Sequence, residues 1–325
     1  MEAHLELIGT MVLISVFSGC GAQPEAPAVP PSEAVGTESP AAPAEAASES
    51  RRPAHGPPVS HPWPHAAGPQ RFLGGIAPPR GFVRVPAAEN SFSAWLRSLP
   101  LLPDGTPVRL HNGRRKWNQR AQHSVVDIDI GEEDLQQCAD AVIRLRAEYL
   151  RAAGCVDAVG FNFTSGDPAR WSEWAAGVRP SVRGNKVDWA TTAEPDASYD
   201  SFRRYLDLVF MYAGSASLAL ELQGVTDPSD VLAGDVFIQG GFPGHAVIVV
   251  DVAENDAGER MFLLAQSYMP AQNVHVLRGP GSSPWYPARS GGVLETPEWT
   301  FDYGDLRRFP TVCPAEEGGA KSEGT

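Results

Sequence analysis

The 325-residue sequence has no excess of basic charge, no Cys-x-x-Cys pair and, past its first twenty residues, no apolar run long enough to cross a bilayer. Each absence excludes something. With 26 Lys and Arg against 39 Asp and Glu the net charge is −13, and binding nucleic acid requires a basic face to neutralise phosphates, so that class of partner is set aside. The four cysteines, Cys20, Cys138, Cys155 and Cys313, show no clustering with histidine. Structural zinc sites repeat such ligands at short intervals, so neither a metal nor another cofactor is expected. The missing apolar run removes internal membrane spans. What is present, 42% hydrophobic and 20% charged residues, is the composition of a globular protein with a core to bury.

Residues 1–20 are predicted to be an export signal. Leu5 to Phe17 is mostly apolar yet short for a membrane span, and Ser18-Gly19-Cys20 sets small residues ahead of a cysteine. This segment resembles a bacterial lipoprotein signal, which implies lipidation of Cys20 and a bacterial envelope protein that meets a membrane only through an N-terminal lipid anchor. A plain secretory signal is the alternative. Residues 21–70 are dominated by Ala, Pro, Glu and Ser with almost no large aliphatics, so they read as a disordered, semi-extended tether. One globular domain is expected over 71–311, followed by a disordered tail over 312–325. If Cys20 is lipidated, three cysteines remain, and at least one must be free or pair between molecules.

Within the domain, Phe92, Trp95, Leu96 and Leu99 repeat at helical spacing, and Pro100 ends that helix. Short strands are expected over 107–110, 124–130 and 156–163. The loop 112–120, with Arg114, Arg115, Lys116 and Arg120 around Trp117, reads as solvated. A helix is expected to begin with Glu132, Glu133 and Asp134 in its first turn, with Leu135, Val142, Leu145 and Tyr149 on its apolar face and Cys138 inside it. A second long helix is expected over 201–222, capped by Ser198 or Asp200. Then come strands near 236–238, 246–250, 260–268 and 274–277; Pro297-Glu298-Trp299 reads as edge packing. Helices followed by a run of strands point to an α+β domain.

Gly234-Asp235-Val236, a glycine-rich turn, and Gly244-His245-Ala246-Val247-Ile248-Val249-Val250 form the most informative stretch. His245 opens a buried strand, where pairing fixes its backbone and its ring can face a cleft; a hydrogen-bonded structural histidine is the other reading. The stretch resembles the strand pair that carries the catalytic histidine of papain-like amidases of the NlpC and CHAP kinds. That resemblance implies a papain-like core with an antiparallel sheet in the C-terminal half, here with an N-terminal α/β extension. It also implies cleavage of amide bonds in cell-wall peptide, with His245 as general base and Gln266, 21 positions on, orienting its ring. Two nucleophiles compete. Cys138 precedes His245 but sits among carboxylates that oppose thiolate formation. Ser201, in Asp200-Ser201-Phe202, occupies the slot of the Asp-Cys-Ser opening of the NlpC-type helix.

Further stretches, Asp134 to Val142, Gly244 to Asp251, Ala265 to Gln272 and Thr296-Pro297-Glu298-Trp299, resemble a family of bacterial exported proteins known only as a domain of unknown function. The leading expectation is therefore an exported thiol amidase or peptidase. The alternative is a non-catalytic envelope domain of the same fold that binds wall peptide or a protein partner. A third reading is a sugar-binding module using Trp171, Trp174 and Trp285.

Overall fold

A strand buried on both faces reads as a continuous apolar run rather than an alternation, and His245–Glu254, with its first nine residues buried, is such a strand. It lies in the middle of the sheet that organises the molecule. The computed structural model describes residues 61–65, 71–281 and 283–319. The chain divides into two units, Met1–Ala54 and His55–Thr325, and every described residue belongs to the second. The signal expected at 1–20, Cys20 as a lipidation site and nearly all of the tether lie outside the described residues.

The principal sheet has nine strands: β1 (Val83–Arg84), β2 (Gln122–Val125), β3 (Gln223–Gly224), β4 (Val236–Gln239), β5 (His245–Glu254), β6 (Arg260–Gln266), β7 (His275–Leu277), β8 (Trp285–Pro287) and β9 (Leu306–Arg308). Their order is β2-β7-β6-β5-β4-β9-β3, with β1 added to β5 and β8 to β6. Every pairing is antiparallel. Five helices accompany the sheet among the described residues: α1 (Phe92–Arg97), α2 (Cys138–Ala152), α3 (Trp171–Ala175), α4 (Tyr199–Tyr212) and α5 (Ser215–Glu221). The domain is thus a mixed α and β structure with antiparallel sheets. No helix of the described residues is long and apolar enough to cross a membrane.

Period-two alternation divides β5 between two cores. Ala246, Ile248 and Val250 join the larger core together with Val142, Leu145 and Tyr149 of α2. Val247 and Val249 join a second core closed by Leu294 and Phe301 of the hairpin Val293–Glu295/Thr300–Asp302. A bulge between Val249 and Asp251 interrupts the pairing with β6. Beyond it, the fully buried Asp251 carboxylate accepts from Arg84 Nε and Arg97 Nε, both at 2.6 Å, and from the Val252 backbone N–H at 2.9 Å.

Several boundaries differ from expectation for identifiable reasons. The acidic run at 132–134 does not form the first turn of α2, which begins at Cys138. Tertiary contacts hold the approach segment: Asp134 Oδ1 accepts from the Ala271 backbone N–H at 2.6 Å, and the Gln136 carbonyl accepts from Ser267 Oγ at 2.9 Å. The single helix expected over 201–222 is two, since the Tyr212 carbonyl accepts from the Thr164 backbone N–H at 2.8 Å and Gly214 opens α5. Residues 107–110 form only isolated bridges rather than a strand. The ordered structure also extends past both expected edges. Trp63 is buried and donates to the Asp127 carbonyl at 2.7 Å, and Cys313 is bonded to Cys155. Glu316 pairs with Arg146. Residues 61–65 of the expected tether and 312–316 of the expected tail thus include side chains in contact with the domain.

Candidate functional site

The turn between β4 and β5 delivers His245 to the end of the sheet. Gly244 is required there by space, because a Cβ would meet Ser215 Oγ at 2.3 Å and the carbonyl oxygens of Gly241 and Gln239 at 2.5 and 2.7 Å. Two of these are backbone atoms that cannot step aside. Gly244→Ala is expected to cost about 1–3 kcal/mol as an overpacked position and to shift the adjoining histidine. The urea midpoint checks this, and a variant as stable as the wild type would contradict the packing argument.

His245 Nε2 lies 2.8 Å from Gln266 Oε1 at the end of β6. Gln266 Nε2 donates in turn to Glu298 Oε2 at 2.7 Å. Glu298 stands in the loop of the Val293–Glu295/Thr300–Asp302 hairpin, where it forms an ion pair with Lys116 and its Oε1 accepts from Asn118 Nδ2 at 3.3 Å. Lys116 Nζ also lies 3.3 Å from His275 Nε2, while His275 Nδ1 lies 2.8 Å from the Asn273 carbonyl. Trp299, Tyr268 and Phe301 surround the His245 ring, with centroids 5.2, 4.8 and 5.9 Å away. His245 is only 1% exposed. That burial lowers its pKa to about 4, with the Gln266 hydrogen bond opposing and the Lys116 charge adding. Burial and Lys116 lower His275 further, to about 3, and burial lowers Lys116 against the opposing pull of Glu298.

Cys138 is the first residue of α2, not an interior one. Gln137 caps that helix, its backbone N–H donating to Asp140 Oδ2 at 3.0 Å. The thiol is partly exposed and free. Burial, and after it the Asp140 carboxyl, raise its pKa; backbone N–H groups of Ala246, Ala139 and Cys138 itself pull the other way. Ala246 follows His245 on β5, and Ser267, which follows Gln266, donates to the carbonyl of Gln136 just before the helix at 2.9 Å. The helix N-terminus thus brings Cys138 to the strand end that holds His245 and Gln266. The remaining two cysteines are bonded to each other, which leaves Cys138 as the one free thiol among the described residues.

Ser201 does not join this group. It is fully buried in the first turn of α4, its hydroxyl accepting from Trp174 Nε1 at 3.1 Å, and Ser198 rather than Ser201 or Asp200 supplies the cap. The sugar-binding reading falls with it, because Trp171, Trp174 and Trp285 are buried core residues with no face for a sugar ring. Lys116 and Glu298 join the site through a pairing that neither local sequence signals. Lys116 belongs to a loop of four cations that looks solvated, yet it is 6% exposed while its neighbour Trp117 is 98% exposed. Glu298 lies on a hairpin tip that looks like edge packing.

Among the described residues, then, a mixed α and β domain with an antiparallel sheet sets a free thiol at a helix N-terminus beside a buried His-Gln-Glu-Lys chain. This chain belongs to the family described as domain of unknown function (4846), whose model matches residues 74–308. No curated protein and no solved structure matches it.

Proposed function

We propose that this protein is an exported thiol amidase or peptidase of the bacterial envelope, with a papain-like arrangement of Cys138, His245 and Gln266 acting on peptide amide bonds such as those of peptidoglycan. The observation that carries the reading is the 2.8 Å contact between His245 Nε2 and Gln266 Oε1, made at the strand end against which the α2 N-terminus sets Cys138. The order thiol, imidazole, amide along the chain supports it, as does the polar partner on the neighbouring strand. With Nε2–H committed to Gln266, the Nδ1 lone pair is free to take the Cys138 proton as sulfur attacks the amide carbonyl. The same proton then passes to the departing amine, and water releases the acyl group from sulfur by the reverse sequence. Exposed Trp117, Phe242 and Met269, each within three residues of Lys116, His245 or Gln266, offer an apolar rim for a peptide chain. The Cys155–Cys313 disulfide supports an oxidising, extracytoplasmic address.

One observation favours the alternative, a non-catalytic domain of the same fold that binds wall peptide. Burial moves the Cys138 pKa up and the His245 pKa down, so the resting pair is neutral rather than thiolate and imidazolium. The two readings separate on isolated peptidoglycan, with new amino groups as the readout and iodoacetamide labelling of Cys138 alongside. Release that falls by about 10³-fold or more in Cys138→Ala and His245→Ala is expected. No release by the wild type, with Cys138 unlabelled until unfolding, would assign the protein to binding.

A further inference from the structure

From the directions of the hydrogen bonds, we infer that Glu298 is a positioning residue: it sets the orientation of the Gln266 amide and, through it, the tautomer of His245. This rests on the reading of His245 as a base. A carboxylate accepts and cannot donate, so the 2.7 Å contact between Gln266 Nε2 and Glu298 Oε2 turns the amide NH₂ toward the hairpin tip. The amide oxygen is then left facing His245 Nε2 at 2.8 Å. An oxygen without hydrogen compels Nε2 to carry the proton, and Nδ1 keeps the lone pair that a base needs.

His275 reinforces the same direction. Its Nδ1 faces the Asn273 carbonyl at 2.8 Å and must be the protonated nitrogen, so Nε2 is an acceptor, 3.5 Å from Gln266 Nε2. Two acceptors therefore stand on the NH₂ side of Gln266. Lys116, paired with Glu298 and 3.3 Å from His275 Nε2, is the cation nearest this junction. Without Glu298 it would be left unpaired and would draw the Gln266 oxygen toward itself. The amide would turn over, its NH₂ would face His245 Nε2, and the imidazole proton would move to Nδ1, filling the nitrogen that has to receive the proton of Cys138.

The hairpin tip is built to hold this position. Thr296 and Trp299 close the loop through a backbone hydrogen bond of 2.9 Å and a 3.1 Å contact from Trp299 N to Thr296 Oγ1. Trp299 Nε1 then donates to Gln239 Oε1 on β4 at 2.9 Å. Glu298 thus acts through Gln266 and touches no reacting atom.

Long-range proton–nitrogen NMR of the His245 ring at pH 7 reads the tautomer without any turnover. The wild type is expected to show a single Nε2–H form. Glu298→Met, which keeps the length but removes the acceptors, is expected to shift the ring toward Nδ1–H, whereas Glu298→Gln, which can still accept, restores Nε2–H. Lys116→Met leaves the carboxylate in place and is expected to keep the wild-type tautomer. An Nδ1–H form in the wild type would overturn the inference even if Glu298→Met failed to fold, and so would an unshifted tautomer in folded Glu298→Met. If the tautomer shifts but no peptidoglycan bond is cut, the positioning stands and the hydrolase reading falls. If bonds are cut while the tautomer never moves, the positioning alone falls.

Discussion

Asp140→Asn is expected to make the protein more stable at neutral pH, by roughly 1–3 kcal/mol. Asp140 is buried in the first turn of α2, its Oδ1 is buried without a partner, and burial pushes its pKa up to about 8 against the opposing N–H groups of Gln137 and Asp140. A carboxyl whose folded pKa lies above the unfolded value of 3.8 keeps a proton that the unfolded chain releases. Its contribution is complete below about pH 4 and is lost as the pH rises toward 8, at about 1.4 kcal/mol per unit. By pH 7 that amounts to about 4 kcal/mol. Asparagine has the same shape, stays neutral and keeps an oxygen for the Gln137 cap, although its own buried NH₂ takes back about 1–3 kcal/mol. Urea midpoints should diverge from pH 4 to pH 8 in favour of the variant. Two curves that run parallel over that range would show that the carboxyl is not held protonated. Since Asp140 is also the second cause of the raised Cys138 pKa, the variant's thiol should be alkylated faster above pH 8.

The same substitution at Asp251 is expected to have the opposite sign. Asp251→Asn should cost about 3–5 kcal/mol, the scale of breaking a buried ion pair by removing one partner. Both carboxylate oxygens are in use, one toward Arg84 Nε and the other toward Arg97 Nε, each at 2.6 Å. Side-chain exposures of 25% and 17% leave the two arginines little water to fall back on. An amide can accept with one atom only and presents hydrogens to the second guanidinium. These arginines tie β1 and α1 to β5, so the loss should appear as a lower denaturation midpoint and as earlier amide exchange around residues 83–97. A variant within 1 kcal/mol of wild type would mean that the arginines find other acceptors. What separates the two buried aspartates is the neighbour, since one meets two cations and the other meets none.

Much of the fold could be read from periodicity. The strand pair around Gly234 to Val250 lies where the apolar runs place it, and His245 and Gln266 are in contact on neighbouring strands. Ser198, one of the two caps expected, caps α4. The start of α2 was hidden because three carboxylates before an apolar repeat mimic a first turn, while the segment is in fact held by Ala271 and Ser267, more than a hundred residues away. The Gln137/Asp140 capping box was the local signal that would have placed Cys138 at the helix start. Lys116 and Glu298 had no local signal. Four cations in nine residues give no sign of which one turns inward, and an ion pair 182 positions apart exists only once loop and hairpin have met.

The Cys155–Cys313 bond turns most of the domain into a covalent ring. His245, Gln266 and Glu298 lie on the ring, whereas Cys138 and Lys116 stand on the linear arm before it. A protease that nicks an exposed turn such as Asn255–Gly258 therefore opens the ring without releasing a fragment, and both halves stay tethered to the arm that bears the thiol. A single cut there leaves every part of the site on one covalently joined molecule.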